Sequence, residues 1–392
     1  MSFFKQKILW LGLIGIALIA IIFTFAFLGS TVNPAPKDLP VALVVKDEGV
    51  TLPTKEKLNI GEELKKQLTE NKDLPFKWTI LDSKDKAVKG MDDRNYYAAL
   101  VIPSDFSAKS SSLMSPKPVQ AEAQLILNQG KNQNAVNAIG QIFPKIFEAI
   151  NGKVQQQMLM PFEKMQKPLS VQQAKIAGHP IALKTDTIHQ TGDNSGGGNA
   201  PTTLTQIIWI TTLISSAIIF TAVRKAHSNT IKPIGFLYQL LAGAVFTAVN
   251  ALIVLYLAAG VLDLHVPDYW AVYGFMLFAS FMFFLMQGAL LNWLGFGGMP
   301  ILVLLFFFSN PVLALAPEML PDVTKTWLYS WTPFRFSVEG LRSIFFYDGR
   351  GLGDNQYVLG IVGLVCFAVM ALALVKPLLQ RGSRKEASVE RN

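Results

Sequence analysis

Six stretches of this sequence are long, apolar and free of Asp, Glu, Lys and Arg: residues 8–28, 203–223, 234–259, 269–294, 299–316 and 357–375. A helix crosses a hydrocarbon core of about 30 Å with roughly 20 apolar residues, and about 17 is the shortest that serves. A water-soluble core cannot absorb six such runs, so the pattern predicts six transmembrane helices. The first run is 21 residues long and follows Lys5 and Lys7. Cleaved signal sequences have apolar cores of about 7–15 residues that end at small residues. This run is longer and ends among Phe25, Phe27 and Leu28, so it reads as a retained anchor.

Residues 31–202, between the first and second runs, have the composition of a soluble domain. Pro34, Pro36 and Pro40 stiffen its entry. Residues 41–45, 78–81, 96–102 and 125–127 read as strands, and residues 61–68 and 134–165 as helices, the second interrupted near Pro144 and Pro161. Residues 110–118 read as a loop, and residues 191–201, with Ser195-Gly-Gly-Gly198, as a flexible linker into the membrane. The prediction is a small α+β domain with a helical extension. Asp92 and Asp93 read as a solvated turn and the Asn-rich residues 128–137 as a surface face. Histidines at 179, 189, 227 and 265 have no ligand spacing, and the only cysteine, Cys366, falls inside the last apolar run. An intrachain disulfide is excluded, and neither a zinc site nor a thiol active centre is supported.

Charge sets the orientation. The chain has 35 Lys and Arg against 27 Asp and Glu, a formal net charge of +8. With the N-terminus in the cytoplasm, the inside segments are residues 1–7, 224–233, 295–298 and 376–392. They hold ten basic and two acidic residues, which leaves 25 of each sign outside. The whole excess is therefore inside, as the positive-inside rule requires. The basic clusters report topology, not nucleic-acid binding. Both termini are expected in the cytoplasm of a bacterial plasma-membrane protein, with residues 31–202 extracytoplasmic. The domains then run 1–30 (start and anchor), 31–202, 203–375 (five further spans) and 376–392 (basic tail).

The segment after residue 316 is neither a span nor an ordinary loop. Pro317, Pro321 and Pro333 interrupt it, and the next thirteen residues are amphipathic, with Arg335 and Glu339 four apart and Glu339 and Arg342 three apart on one helical face. Thirteen residues give about 20 Å of helix, and a lone charge at the bilayer centre costs about 3 kcal/mol or more. Residues 327–347 are therefore expected to enter partway, as a re-entrant helix before the last span. Within the runs, Gln239, Asn250, Gln287, Asn292 and Asn310 are the conspicuous polar residues; each either joins helices by hydrogen bonds or lines a transport path. Carriers driven by protons or sodium place an ionisable group at the midplane, and these runs have none. No Gly-x-x-x-x-Gly-Lys-Ser/Thr loop is present, so ATP is not bound in the P-loop manner. If the chain pumps, another polypeptide has to hydrolyse the nucleotide and push on a cytoplasmic surface. The candidates are the loop with Arg224, Lys225, His227 and Lys232, and the short start, residues 2–7.

Several motifs carry a resemblance. Pro317-Glu-Met-Leu-Pro321 followed by Trp331-Thr-Pro-Phe-Arg-Phe-Ser-Val-Glu-Gly-Leu-Arg342 resembles the proline-rich element ahead of the final span in permease subunits of type-2 ABC exporters. Asn71-Lys-Asp-Leu-Pro-Phe-Lys-Trp78 and Tyr96-Tyr-Ala-Ala-Leu-Val-Ile-Pro-Ser-Asp-Phe-Ser107 are similar to the outside domain of one branch, the YhgE/Pip (phage infection protein) family. Many members of that branch carry a longer outside region, and the group often has Gly-Gly where this chain has Ser309-Asn310-Pro311. The resemblance implies an α-helical membrane protein that works as a homodimer in lipid with two cytoplasmic ABC ATPase subunits. ATP and Mg would sit on those subunits, and this chain would hold no cofactor and do no enzymatic chemistry. The cargo implied is an amphipathic, lipid-like, drug or cell-envelope compound moved outward. The alternative is a membrane-anchored scaffold or receptor, such as a type VII-like secretion accessory or a phage attachment protein.

Overall fold

The computed structural model describes residue 21 and residues 36–51, 57–112, 115, 117–165, 168–226 and 232–375. The first apolar run (apart from Ile21), His227 and the basic tail lie outside the described residues. Contacts divide the chain into an α/β unit, Ala35–Thr191, and a helical unit that resumes at Gly192.

The α/β unit is built on a five-stranded sheet of order β4-β1-β5-β6-β7. The strands are β1 (Leu39–Val45), β4 (Phe76–Leu81), β5 (Ala98–Ile102), β6 (Ala121–Asn128) and β7 (Ile181–Ile188), and β2 (Val50–Thr51) and β3 (Lys57–Leu58) form a separate small hairpin. β1 lies parallel to both β4 and β5, β6 is antiparallel to β5, and β7 is parallel to β6. A strand flanked by two parallel neighbours is covered on both faces; Val41, Ala42, Leu43 and Val44 are accordingly all buried. Parallel neighbours need crossovers, and α1 (Ile60–Glu70) and α2 (Lys84–Asp92) supply them, each started by a side chain, Asn59 or Ser83, that accepts a backbone N–H of the first turn. A short α3 (Phe106–Ser111) follows β5.

The long helix α4 (Gln133–Met165) runs through Pro144 and Pro161 without the interruptions the sequence suggested. Val136, Ile139, Phe143 and Phe147, spaced three or four apart, are buried. Phe143 lies with its ring centre 5.1 Å from Phe76 and 6.1 Å from Trp78, which holds the helix beside Pro144. α5 (Val171–Gly178) opens on a capping box, Ser170 with Gln173, and leads into β7. Asp92 is not a solvated turn: its carboxylate lies 3.1 Å from Nε2 of His189. Nδ1 of the same ring faces Oδ1 of Asn128 at 3.0 Å, while the Asn128 amide donates to the carbonyls of Met91 and Tyr96. The end of β7 is thereby pinned to α2 and β6.

The helical unit contains α6 (Ala200–Ala226), α7 (Pro233–Gly260), α8 (Tyr269–Leu294), α9 (Met299–Ala314), α10 (Asp322–Thr324), α11 (Pro333–Phe346) and α12 (Leu352–Leu372). Among the described residues four helices are long and apolar enough to cross a membrane: Ala200–Ala226, Pro233–Gly260, Tyr269–Ala314 and Leu352–Val375. The third joins α8 and α9 through a 3-10 turn, Gly295–Gly298, where Gly295 takes a left-handed φ of 61°. Side-chain contacts give the directions. Trp209 meets Phe283 and Ser216 bonds Gln287, so α6 and α8 run the same way; α7 is antiparallel to both, with Asn250 on Ser215 and Gln239 on Asn292. Close approach is set by glycines: a methyl group on Gly243 would overlap the Phe284 ring, one on Gly340 the Phe275 ring, and one on Gly363 the Met282 side chain.

Candidate functional site

α9 turns back along α6. Phe296 packs on Phe220 near the last turn of α6, whereas Asn310 bonds Gln206 near its first. Fourteen residues of α6 separate those levels, a rise of about 21 Å. The chain then passes a 3-10 turn at Pro317–Met319, α10, and a π-helical turn at Lys325–Tyr329. It returns to the level it left, where the Ser309 and Thr332 hydroxyls lie 2.8 Å apart. Pro333 opens α11 at N1, where a missing N–H costs nothing. The ring of Phe334, fully buried, lies 4.4 Å from Trp209, 5.7 Å from Phe283 and 6.0 Å from Phe306, centre to centre, so three helices grip the start of α11. One turn on, Ser337 meets Thr205 at 3.0 Å, which shows α11 climbing antiparallel to α6. Trp209 is nine residues into α6, about 14 Å along the helix from its first residue. Residues 317–346 thus form a helical hairpin whose tip is buried against the middle of the first half of α6.

Of the charged residues predicted on this element, Glu339 accepts from Nη1 of Arg342 at 2.8 Å, and the Arg342 side chain is only 7% exposed. Arg335 lies over the ring of Tyr329 at 4.7 Å and over Phe336 at 5.4 Å, which ties α11 to the π-helical turn before it. Pro317 and Pro321 start the two turns of the descending arm.

The predicted polar residues are all engaged between helices. Gln239 and Asn292 exchange two amide hydrogen bonds of 3.1 Å, joining α7 to α8. Gln287 accepts from Ser216 at 3.0 Å and donates to the Trp209 carbonyl at 3.3 Å, joining α8 to α6. Asn250 donates to Ser215 at 2.9 Å, and Asn310 accepts from Gln206.

A second set of polar groups was not singled out from the sequence. Thr202, Thr205, Trp209, Thr212 and Ser216 recur at alternating spacings of three and four along α6, and all are buried. Among the described residues, Oγ1 of Thr202, Nε1 of Trp209, Oγ1 of Thr212 and Oγ of Ser280 on α8 have no hydrogen-bond partner. A buried, unpaired hydroxyl or N–H costs about 1–3 kcal/mol, and lipid offers no substitute partner. The signal in the sequence is the heptad-like spacing of hydroxyl residues on an otherwise apolar helix.

Arg224 and Lys225 occupy the last turn of α6, with Arg224 over the Phe220 ring at 5.3 Å, and Lys232 precedes the first turn of α7. In the α/β unit, sheets with this strand order bind ligands beyond the carboxyl ends of neighbouring strands. Here that place, after β1 and β5, is filled from within: the buried Asp47 carboxylate accepts from the backbone N–H of Gly61 and Ser107 at 2.9 Å each and from the Ser107 hydroxyl. It takes up the first-turn donors of α1 and α3 that would otherwise hold an anion.

Over 154 residues the chain is 28% identical to the "Uncharacterized protein YhgE" of Bacillus subtilis (strain 168), a match that covers 39% of this chain and 20% of that protein. No solved structure matches. The family described as "Protein of unknown function (DUF3533)" matches residues 11–369, nearly the full length, and the chain belongs to that family.

Proposed function

We propose that this chain is the membrane-spanning permease subunit of a type-2 ABC exporter. It crosses the bilayer six times, beginning with residues 8–28 and counting α8 and α9 separately. Both ends lie in the cytoplasm, the α/β unit is outside, and residues 317–346 form a re-entrant element that caps the outer half of the bundle. The observation that carries this reading is the hairpin itself: it returns to its own level at Ser309 and Thr332 and buries Phe334 among α6, α8 and α9. The absence of Asp, Glu, Lys and Arg from the spans supports a pump energised from outside the chain, because no ionisable side chain there can carry a coupling proton.

Two copies work with two ATPase subunits, which hold the ATP and Mg. Closure of those subunits pushes on the segment that begins at Arg224 and Lys225 and ends at Lys232. The push tilts α6, whose first half grips the hairpin, and α9, which carries Pro311 within its helix. An amphipathic or lipid-like compound then leaves outward past the hairpin. Affinity capture of the full-length chain from native membranes is expected to recover a nucleotide-binding subunit and nucleotide-dependent efflux. Activity in a preparation free of any such subunit would overturn the proposal.

A further inference from the structure

Four of the seven buried side-chain polar atoms without a hydrogen-bond partner among the described residues lie on α6 and α8, which pack together. Elsewhere on α6, and on α7, hydroxyls turn back to the carbonyl four residues earlier: Thr211 to Ile207 at 2.9 Å, Ser215 to Thr211 at 2.7 Å and Thr221 to Ala217 at 2.7 Å on α6, and Thr247 to Gly243 at 2.8 Å on α7. Thr212 and Ser280 are fully buried and do not. The carbonyls one turn before Thr212, those of Ile208 and Trp209, already accept from Thr211 and Gln287, so among the described residues the Thr212 hydroxyl is left over in the seam. Parted, α6 and α8 would present these groups as one polar wall.

We infer that the α6–α8 seam is the cargo path and that its cargo carries an uncharged hydroxyl- or amide-bearing head on an apolar body. The inference rests on the permease reading. The head is uncharged because residues 200–223 and all of α8 contain no Asp, Glu, Lys or Arg, and the nearby buried cation, Arg342, is already paired with Glu339. The body is apolar because the same bundle is otherwise apolar there: Leu213, Phe275, Phe283 and Phe334 belong to one buried cluster. An anionic phospholipid head would meet no counter-charge on this route.

The test uses the full-length chain in nanodiscs and two photoactivatable probes, an alkyl glucoside and a phosphatidylglycerol analogue. The glucoside is expected to label peptides of α6 and α8. Thr212→Val combined with Ser280→Ala is expected to lower that labelling about tenfold, the loss of two neutral hydrogen bonds, with the melting temperature unchanged or raised. Ser280→Ala alone serves if the double variant is not recovered. Equal labelling of the seam by the anionic probe overturns the inference, as does unchanged labelling of the variant or labelling confined to the exposed face of α7. If the seam is labelled but native membranes yield no ATPase subunit, the binding site stands and the permease reading fails.

Discussion

Removing Glu339 would leave the Arg342 guanidinium buried without its carboxylate. The two side chains are 7% and 23% exposed for Arg342 and Glu339 and 2.8 Å apart. Breaking a buried pair from one side costs about 3–5 kcal/mol, and replacing both partners is often neutral or better. Because Glu339 keeps some contact with solvent, the lower end applies, about 3 kcal/mol for Glu339→Gln. For a unit of roughly 200 residues that is a fall of about 6–12 °C in Tm. The double variant Glu339→Gln with Arg342→Gln should recover most of the loss. The assay is thermal unfolding of the purified full-length chain, read as a double-mutant cycle. A Tm for Glu339→Gln equal to that of the parent, or a double variant as unstable as the single, refutes the reasoning. Glu339→Lys should be worse still, with transport lost while the protein still inserts.

Three further outcomes are expected. Gly340→Ala should destabilise the helical unit by about 1–3 kcal/mol, because the added methyl meets the rigid Phe275 ring, whereas Gly363→Ala meets the flexible end of Met282 and should cost less; unfolding of the two variants side by side decides it. Asn128→Ala strips donors from the Met91 and Tyr96 carbonyls and an acceptor from His189, and should cost about 2 kcal/mol or more, read as faster proteolysis of residues 35–191. Cys366, partly buried within α12, should react with a membrane-impermeant maleimide only after solubilisation; rapid labelling in intact cells would contradict its place in the last span.

Much of this architecture could be read from the residues because one force dominates it. The apolar runs at 234–259 and 269–294 match α7 and α8 almost end to end, since hydrophobicity alone sets their limits. β1 stood out for the same reason: both faces are buried, so its run is unbroken. β7 did not, because it is an edge strand with only one neighbour, with Lys184 and Thr185 exposed and Asp186 half-buried against Gln124. Pro144 was read as a break, yet the ring contacts of Phe143 hold the helix across it. At the candidate site, the Glu339–Arg342 pair followed from spacing, but Arg335 went to the Tyr329 ring, a partner outside its own helix. The seam escaped notice for a chemical reason. Thr and Ser in an apolar helix commonly satisfy themselves on the preceding turn, and it is packing, not residue type, that separates Thr211, which does, from Thr212, which among the described residues does not.

The most direct test of an energised, hinged hairpin is a disulfide trap between α6 and α11. Thr205→Cys with Ser337→Cys, in a Cys366→Ser background, places two thiols where hydroxyls now lie 3.0 Å apart. In native membranes the account predicts rapid cross-linking at rest and a marked fall in yield when ATP is turned over. Equal yields with and without ATP, in membranes that are pumping, would contradict it.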